Sequence, residues 1–443
     1  MKEIIMNRMI IVLLFFFPFL HPGIKANYSA YRIGNTKDTI TQATGGICLM
    51  GGATEDDNAM KWFLQRASGG DIVVLRTSGS DGYNTYLYSD LGIPVNSVET
   101  IVCNNAAASY EPYIVQKIQK AEAIWFAGGD QWTYITYWRN TPIDSAINDA
   151  ISRRNIVIGG ISAGMAIQGK YYFTAQNGTV NSANCLANPY NTKVTIDSAL
   201  FLKNAVLNNT ITDTHFDNPD RKGRLITFLA RIYADYGIVA KAIACDENTA
   251  VCIDNNGIAR IFGGYPAYDD NAYFIQSNCG ISNNLPEQCI AEKPLTWDRQ
   301  KSAIKVYKIK GDKTGSAIFD LKNWQKGNGG EWHNWSVSDG SFLEKKSDSI
   351  NCNPLSVNDI KSEIKMIVFP NPVHDKLNIS INTCTISLDH ISIYDMLGNH
   401  IPQKFLITDN TIIADITGLY NALYFLRING KNGQIYHTIF IKN

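Results

Sequence analysis

Ile156-Val157-Ile158-Gly159-Gly160-Ile161-Ser162-Ala163-Gly164-Met165-Ala166-Ile167-Gln168 is the stretch on which the reading of this 443-residue chain turns. An apolar run of strand length ends in small residues, and a helix-compatible segment follows Ser162. The order predicts strand, tight turn and helix, with the G-x-S-x-G pattern Gly160-Ile161-Ser162-Ala163-Gly164 at the turn. Such an elbow lifts a serine hydroxyl above the carboxyl end of a parallel strand, and its glycines admit strained dihedrals and close approach of a substrate. The helix start also aims backbone N–H groups where an oxyanion would form. The same spacing fits an ordinary glycine-rich loop, so the turn needs a base before it means catalysis.

Between the N-terminal segment and about residue 330 there is a single histidine, His215, in Ile211-Thr212-Asp213-Thr214-His215-Phe216-Asp217. A hydroxyl nucleophile at neutral pH needs a positioned base, usually histidine, so a Ser-His hydrolase in this region has to use His215. A third member, a carboxylate that fixes the imidazole tautomer, has four candidates by position: Asp213, Asp217, Asp220 and Glu247. Glu247 belongs to an acidic pair, Asp246-Glu247, that interrupts an apolar stretch; carboxylates so placed usually have a partner, because burying an unpaired charge is costly.

Further out, residues 45–265 alternate short apolar runs with helical patterns. Strands are predicted at 46–51, 71–76, 99–103, 123–127, 155–160 and 210–215, and helices at 57–67, 113–120 and 143–152. The alternation predicts an α/β fold with a mostly parallel sheet sandwiched by helices. Ligands of such sheets bind beyond the carboxyl ends of the strands, where Gly51-Gly52, Gly128-Gly129-Asp130-Gln131, Ser162 and His215 all fall. Neither G-x-G-x-x-G nor P-loop spacing is present, so the glycines point to acyl transfer rather than nucleotide use, with N–H groups near Gly129 and Ala163 as oxyanion donors.

Net charge is zero and no basic run is interleaved with aromatics, which argues against nucleic acid as a partner. Residues 1–26 carry Lys2 and Arg8 and then an apolar run too short to span a bilayer, the pattern of a secretory signal peptide. Export permits disulfides among the nine cysteines, none of which forms a C-x-x-C pair. Cys279 and Cys289 are one candidate pair and Cys352 and Cys384 another, while Cys48 reads as a buried free thiol. No metal or organic cofactor is expected.

Leu49-Met50-Gly51-Gly52, Ala127-Gly128-Gly129-Asp130-Gln131, Ser162-Ala163-Gly164, Asp213-Thr214-His215-Phe216, Gly223-Arg224-Leu225 and Asp246-Glu247-Asn248-Thr249-Ala250 occur in this order. Together they resemble the cyanophycinase-like serine peptidases, relatives of the aspartyl dipeptidase (peptidase E) enzymes. The resemblance covers roughly residues 40–265. It implies a flavodoxin-like or glutamine-amidotransferase-like sandwich, with Ser162 as nucleophile, His215 as base, Glu247 as orienting acid, and Gly129 and Ala163 as the oxyanion hole. It also implies that Asp130, Gln131, Asp213, Arg221 and Arg224 face the substrate, and that the chain forms homodimers. Family members hydrolyse aspartyl peptides, and cyanophycinase releases β-aspartyl-arginine from a polymer with an aspartate backbone. The sequence departs from that pattern at Thr214, where a glutamine is usual, and at Pro219, where the first arginine of a cluster would stand. A proline cannot replace a guanidinium that clamps a carboxylate through two parallel hydrogen bonds. An acidic or β-aspartyl peptide or polymer is therefore the expected substrate, rather than the arginine-bearing polymer itself.

Residues 266–345, with Tyr268, Tyr273, Trp297, Tyr307, Trp324, Trp332 and Trp335, predict a β-rich aromatic extension packed on the 27–265 hydrolase domain, and 346–365 a polar linker. Phe369-Pro370-Asn371-Pro372 opens a final segment, 366–443, whose alternating runs predict a small β-sandwich. This segment resembles the C-terminal sorting domain of type IX secretion cargo. The resemblance implies contact with that secretion machinery and a location outside, or on the outer-membrane surface of, a Gram-negative bacterium. The sequence thus predicts a secreted serine peptidase; the other reading, a catalytically decayed binding or adhesion protein on the same scaffold, draws on Thr214 and Pro219.

Overall fold

The computed structural model describes residues 26–198, 201–352, 366–381, 388–408, 411–430 and 435–443. Nearly all of the segment expected to be a signal peptide, most of the expected linker and Cys384 lie outside the described residues. The chain divides into two compact units, one ending at Cys352 and the other starting at Asn353.

The first unit is built on a ten-stranded sheet. Its centre is five parallel strands: β2 (Gly46–Met50), β3 (Asp71–Arg76), β4 (Ser97–Cys103), β5 (Ala123–Phe126) and β6 (Val157–Ile161), in the order β4-β3-β5-β6-β2. An edge strand β1 (Tyr28–Gly34) pairs antiparallel with β4. These runs are apolar on both faces because both faces are covered. Cys48, Met50, Ile72 and Val74 pack with Met60, Phe63 and Leu64 of helix α1 (Asp57–Arg66). The alternate residues Ile47, Leu49, Val73 and Leu75 pack with Ile114 and Ile118 of α2 (Pro112–Lys120) and with Ile143 and Ile147 of α4 (Pro142–Arg154). Each such fully buried side chain contributes roughly 1.5–3 kcal/mol. Local signals set the helix ends: the Asp56 carboxylate accepts from Ala59 N at 2.8 Å, and Thr141 with Pro142 opens α4, which closes on left-handed Asn155. A further helix, α3 (Gln131–Trp138), is aromatic nearly all round and shows no helical period in the sequence.

The strand predicted at 210–215 does not join the parallel sheet. It is β7 (Thr210–Asp213), the edge of a second, six-stranded sheet, paired parallel with β8 (Lys241–Cys245). Helix α5 (Lys222–Tyr236) connects the two. After β8 the chain returns to the first sheet as β9 (Ala250–Ile253), antiparallel to β2, and β10 (Ile258–Tyr265). Strands β11 (Asn271–Ser277), β12 (Ile304–Lys310), β15 (Gly330–Ser338) and β16 (Ser341–Lys346) complete the second sheet, while β13 (Ile318–Asp320) and β14 (Gly327–Asn328) lengthen the first. Residues 266–345 are thus woven into both sheets. Trp297, Trp324, Trp332, Trp335, Tyr273 and Tyr307 are buried, and Tyr268 is exposed.

Cys279 pairs with Cys352 (Cα–Cα 5.2 Å) rather than with Cys289, which stays unpaired; Cys48 is a buried free thiol. The second unit holds two four-stranded antiparallel sheets around one core that includes Leu377, Ile379, Ile393, Leu426 and Phe440. No helix among the described residues is long and apolar enough to cross a membrane.

Candidate active site

Three strand ends meet at the site. Ser162 follows β6 with φ 53° and ψ −115°; its N–H donates to Met50 O at 3.0 Å, and its carbonyl accepts from Met165 N and Ala166 N. A non-glycine residue in that conformation is held by its surroundings at a cost of about 1–3 kcal/mol. The turn can be this tight because its neighbours lack side chains. A Cβ on Gly164 would lie 2.1 Å from Phe126 O, and one on Gly160 2.5 Å from the carbonyl carbon of Gly164.

His215, two residues beyond β7, also has positive φ (46°), and its N–H donates to Gly51 O at 3.0 Å. Its Nε2 lies 2.8 Å from Ser162 Oγ, and its Nδ1 lies 2.6 Å from Glu247 Oε1. Those partners fix the tautomer: Nδ1–H donates to the carboxylate, and Nε2 accepts from the hydroxyl. Glu247, just past β8, is oriented twice more: its N–H donates to Asp217 Oδ1 at 2.9 Å, and Oε2 accepts from Asn218 Nδ2 at 3.4 Å. The hydrogen bond from His215 holds the Glu247 carboxyl below its ordinary range. Of the four carboxylates open in the sequence, Glu247 is the one that touches the imidazole. Asp217 supports Glu247 from its backbone side, Asp213 is engaged elsewhere, and Asp220 is exposed.

The Gly128-Gly129 loop runs beside the serine; a Cβ on Gly128 would lie 3.8 Å from Ser162 Cβ. The buried Tyr134 hydroxyl anchors this loop, 3.0 Å from the carbonyls of both Ala127 and Gly128. Ala163 opens the four-residue helix Ala163–Ala166 that follows the serine.

The five residues expected to face a substrate separate. Asp130 caps α3, accepting from Trp132 N and the Thr133 hydroxyl. Gln131 donates to Phe173 O at 3.3 Å. Asp213 and Arg224 turn toward each other as a buried, two-point ion pair, with Arg224 Nε 2.9 Å from Asp213 Oδ2 and Nη2 on Oδ1. Their charges are spent on one another, so neither presents a free group. Arg221 is half-buried and donates to Thr214 O at 2.8 Å; burial, with the charge of Arg224, lowers its guanidinium to about 10.

Sequence reasoning set Gly51-Gly52 at the same strand ends as His215 without seeing its contact with the ring, and it missed Asn218 and the support role of Asp217. A Cβ on Gly52 would fall 2.2–2.6 Å from three atoms of the His215 ring, so backbone packs flat against the imidazole. The Gly51-Gly52 pair was visible at a strand end, but nothing local tied it to a residue some 160 positions away. Among the described residues, no group of three or more His, Cys, Asp or Glu is placed to hold a metal ion.

A hydroxyl, an imidazole and a carboxylate stand in file beyond the ends of strands, an arrangement that serine hydrolases also use. The comparisons with known proteins are narrower. Residues 82–261 match the model of peptidase family S51, and residues 367–442 match the secretion system C-terminal sorting domain. The chain is 24% identical over 227 residues to a cyanophycinase of Synechococcus elongatus, an alignment spanning 49% of this chain and 66% of that protein. It is 23% identical over 228 residues to the cyanophycinase of Geminocystis herdmanii, covering 49% and 77%. A peptidase from an acI-B1 actinobacterium is similar in structure (TM-score 0.39, 14% identity, 53% of this chain and 91% of that one). A putative peptidase E protein from Listeria monocytogenes EGD-e is also similar (TM-score 0.32, 17% identity, 50% and 100%). The resemblance read from the ordered motifs, to cyanophycinase-like serine peptidases followed by a sorting domain, agrees with both family matches. The sorting domain assigns the chain to type IX secretion, to the cell surface or beyond.

Proposed function

We propose that this chain is a secreted serine peptidase that cleaves aspartyl or β-aspartyl peptide bonds through an acyl-enzyme on Ser162. The observation that carries the reading is the unbroken file from Ser162 Oγ through His215 to Glu247, at 2.8 and 2.6 Å. His215 Nε2 takes the serine proton as Oγ attacks the scissile carbonyl, and Glu247 stabilises the imidazolium. N–H groups of Gly129 and Ala163 hold the oxyanion, each such donor typically worth roughly 3 kcal/mol. His215 then protonates the leaving amine, and water releases the acyl group by the reverse route. The support is threefold: the geometry, the match to peptidase family S51, and the similarity to cyanophycinases.

The acidic-substrate reading rests on Arg221, a half-buried cation on the His215 segment, and on Gln131 at the start of α3. The Asp213–Arg224 pair, Asp130 and the missing arginine at Pro219 count against an arginine-bearing polymer. The sorting domain supports the type IX machinery as a partner during export; homodimer formation follows from the family resemblance.

The test is hydrolysis by the mature protein, beside Ser162→Ala, of α- and β-aspartyl peptides and cyanophycin. Release of an amino product by wild type alone supports the reading and reports the acyl-side preference. If neither protein turns over any substrate, and an acylating probe fails to label Ser162, the binding-protein reading replaces it.

A further inference from the structure

Glu247 has a neighbour that the proposed chemistry does not use. Asp246 stands where β8 ends, 2% exposed, and its N–H donates to Asn271 O at 2.9 Å. Its Oδ2 accepts from Asn271 N (3.1 Å), from Asn271 Nδ2 (2.9 Å) and from the Tyr273 hydroxyl (3.4 Å). Asp246 therefore ties the end of β8 to the start of β11 at the point where Glu247 leaves the sheet. Its other oxygen, Oδ1, is buried and has no partner among the described residues, and the same holds for Oδ1 of Asn271. Two acceptors from bonded side chains thus lie in the interior without a donor.

We propose that Asp246 is a positioning residue: as the neutral acid, its clamp on Asn271 and Tyr273 fixes the strand end from which Glu247 reaches His215. This rests on the reading of Ser162, His215 and Glu247 given above. A carboxylate here would bury a charge on an oxygen that no donor meets, which costs more than burying a neutral hydroxyl. A proton on Oδ1 turns one of the two orphan acceptors into a donor. The surroundings agree. Burial pushes the Asp246 carboxyl up to about 7, with Asp217 from the segment after β7 raising it and Lys308 of β12 and the Asn271 donors lowering it. From β11 the Tyr273 hydroxyl faces it, itself pushed up by burial and by Asp246. Ionisation would set a third negative charge beside Glu247 and Asp217 and repel the segment that aims the orienting carboxylate. The sign follows. A carboxyl raised in the folded state contributes stability that is full below its unfolded value and is lost as pH rises to about 7.

The experiment compares the full chain with Asp246→Asn, which puts an uncharged amide in place of the acid, from about pH 5 to about pH 9. Three readouts are taken: melting temperature, the His215 imidazole NMR signal, and the rate at which a fluorophosphonate labels Ser162. Melting of the wild type should fall relative to the variant between about pH 5 and about pH 7 and level off above it. The His215 signal should shift in the wild type as Asp246 ionises near pH 7, a step that the variant lacks. Labelling of the wild type should pass a maximum and drop about fivefold, while the variant stays on its plateau. Parallel melting curves would overturn the proposal. So would diverging curves with an unchanged His215 signal, which would make Asp246 a strut without influence on Glu247. If Ser162 is labelled in neither protein, the catalytic reading falls, and the other two readouts still decide the place of Asp246.

Discussion

Replacing Gly52 measures how closely the His215 imidazole is seated. An alanine there would put its methyl group inside the His215 ring's own volume, so the ring must swing away from Ser162. Because misplacement by about 1 Å costs about 100-fold in rate, Gly52→Ala should lose at least about that factor in kcat/KM. Circular dichroism should show the fold retained. Ser162→Ala should abolish hydrolysis and leave Tm near the wild-type value; a large fall in Tm would make the serine a structural element of its turn. Glu247→Gln should lower kcat by about 10⁴-fold, because the amide offers His215 the wrong tautomer. Glu247 also has a signature in acid. Its folded carboxyl is held low, so the stability it contributes is present above the ordinary carboxyl range and lost as pH falls through it. Melting below about pH 4.5 should therefore steepen in the wild type and flatten in Glu247→Gln.

At the scale of elements, the buried Asp213–Arg224 pair pins helix α5 to the end of β7, two residues before His215. Arg224→Met should destabilise by about 3–5 kcal/mol in urea unfolding, since it strands a buried carboxylate, and adding Asp213→Asn should recover part of that loss. The same pair shows where the sequence is legible and where it is not. The parallel strands and helices α1, α2 and α4 follow from apolar period and caps, because those signals are local and both sheet faces are buried. The membership of β7 in a second sheet is not local. Nothing in Thr210-Ile211-Thr212-Asp213 distinguishes a partner at β2 from one at β8; pairings made by the later strands decide it. Ser162 and His215 could be named from motif and scarcity, whereas Glu247 stayed one of four carboxylates until the family resemblance singled it out. That Arg224 neutralises Asp213 could not be read, because a charged residue on a helix looks identical whether it faces solvent, substrate or a buried carboxylate.

At the scale of the molecule, the compact unit ending at Cys352 contains every residue assigned to the proposed chemistry. Removing 353–443 should leave labelling of Ser162 unchanged while abolishing export, which fractionation of cells expressing the two forms would check. The Cys279–Cys352 bond closes a loop across a separation of 73 residues, worth about 4 kcal/mol by loop entropy. Cys352→Ser should lower Tm accordingly under oxidising conditions and leave it unchanged in reductant. The last strand of the unit, Ser341–Lys346, lies at the edge of its sheet, where a loose end would be the first to peel and the most open to proteolytic trimming. A covalent stitch six residues beyond that strand stops unravelling from the cut end, so the sorting tail can be shed like a shipping label without opening the package.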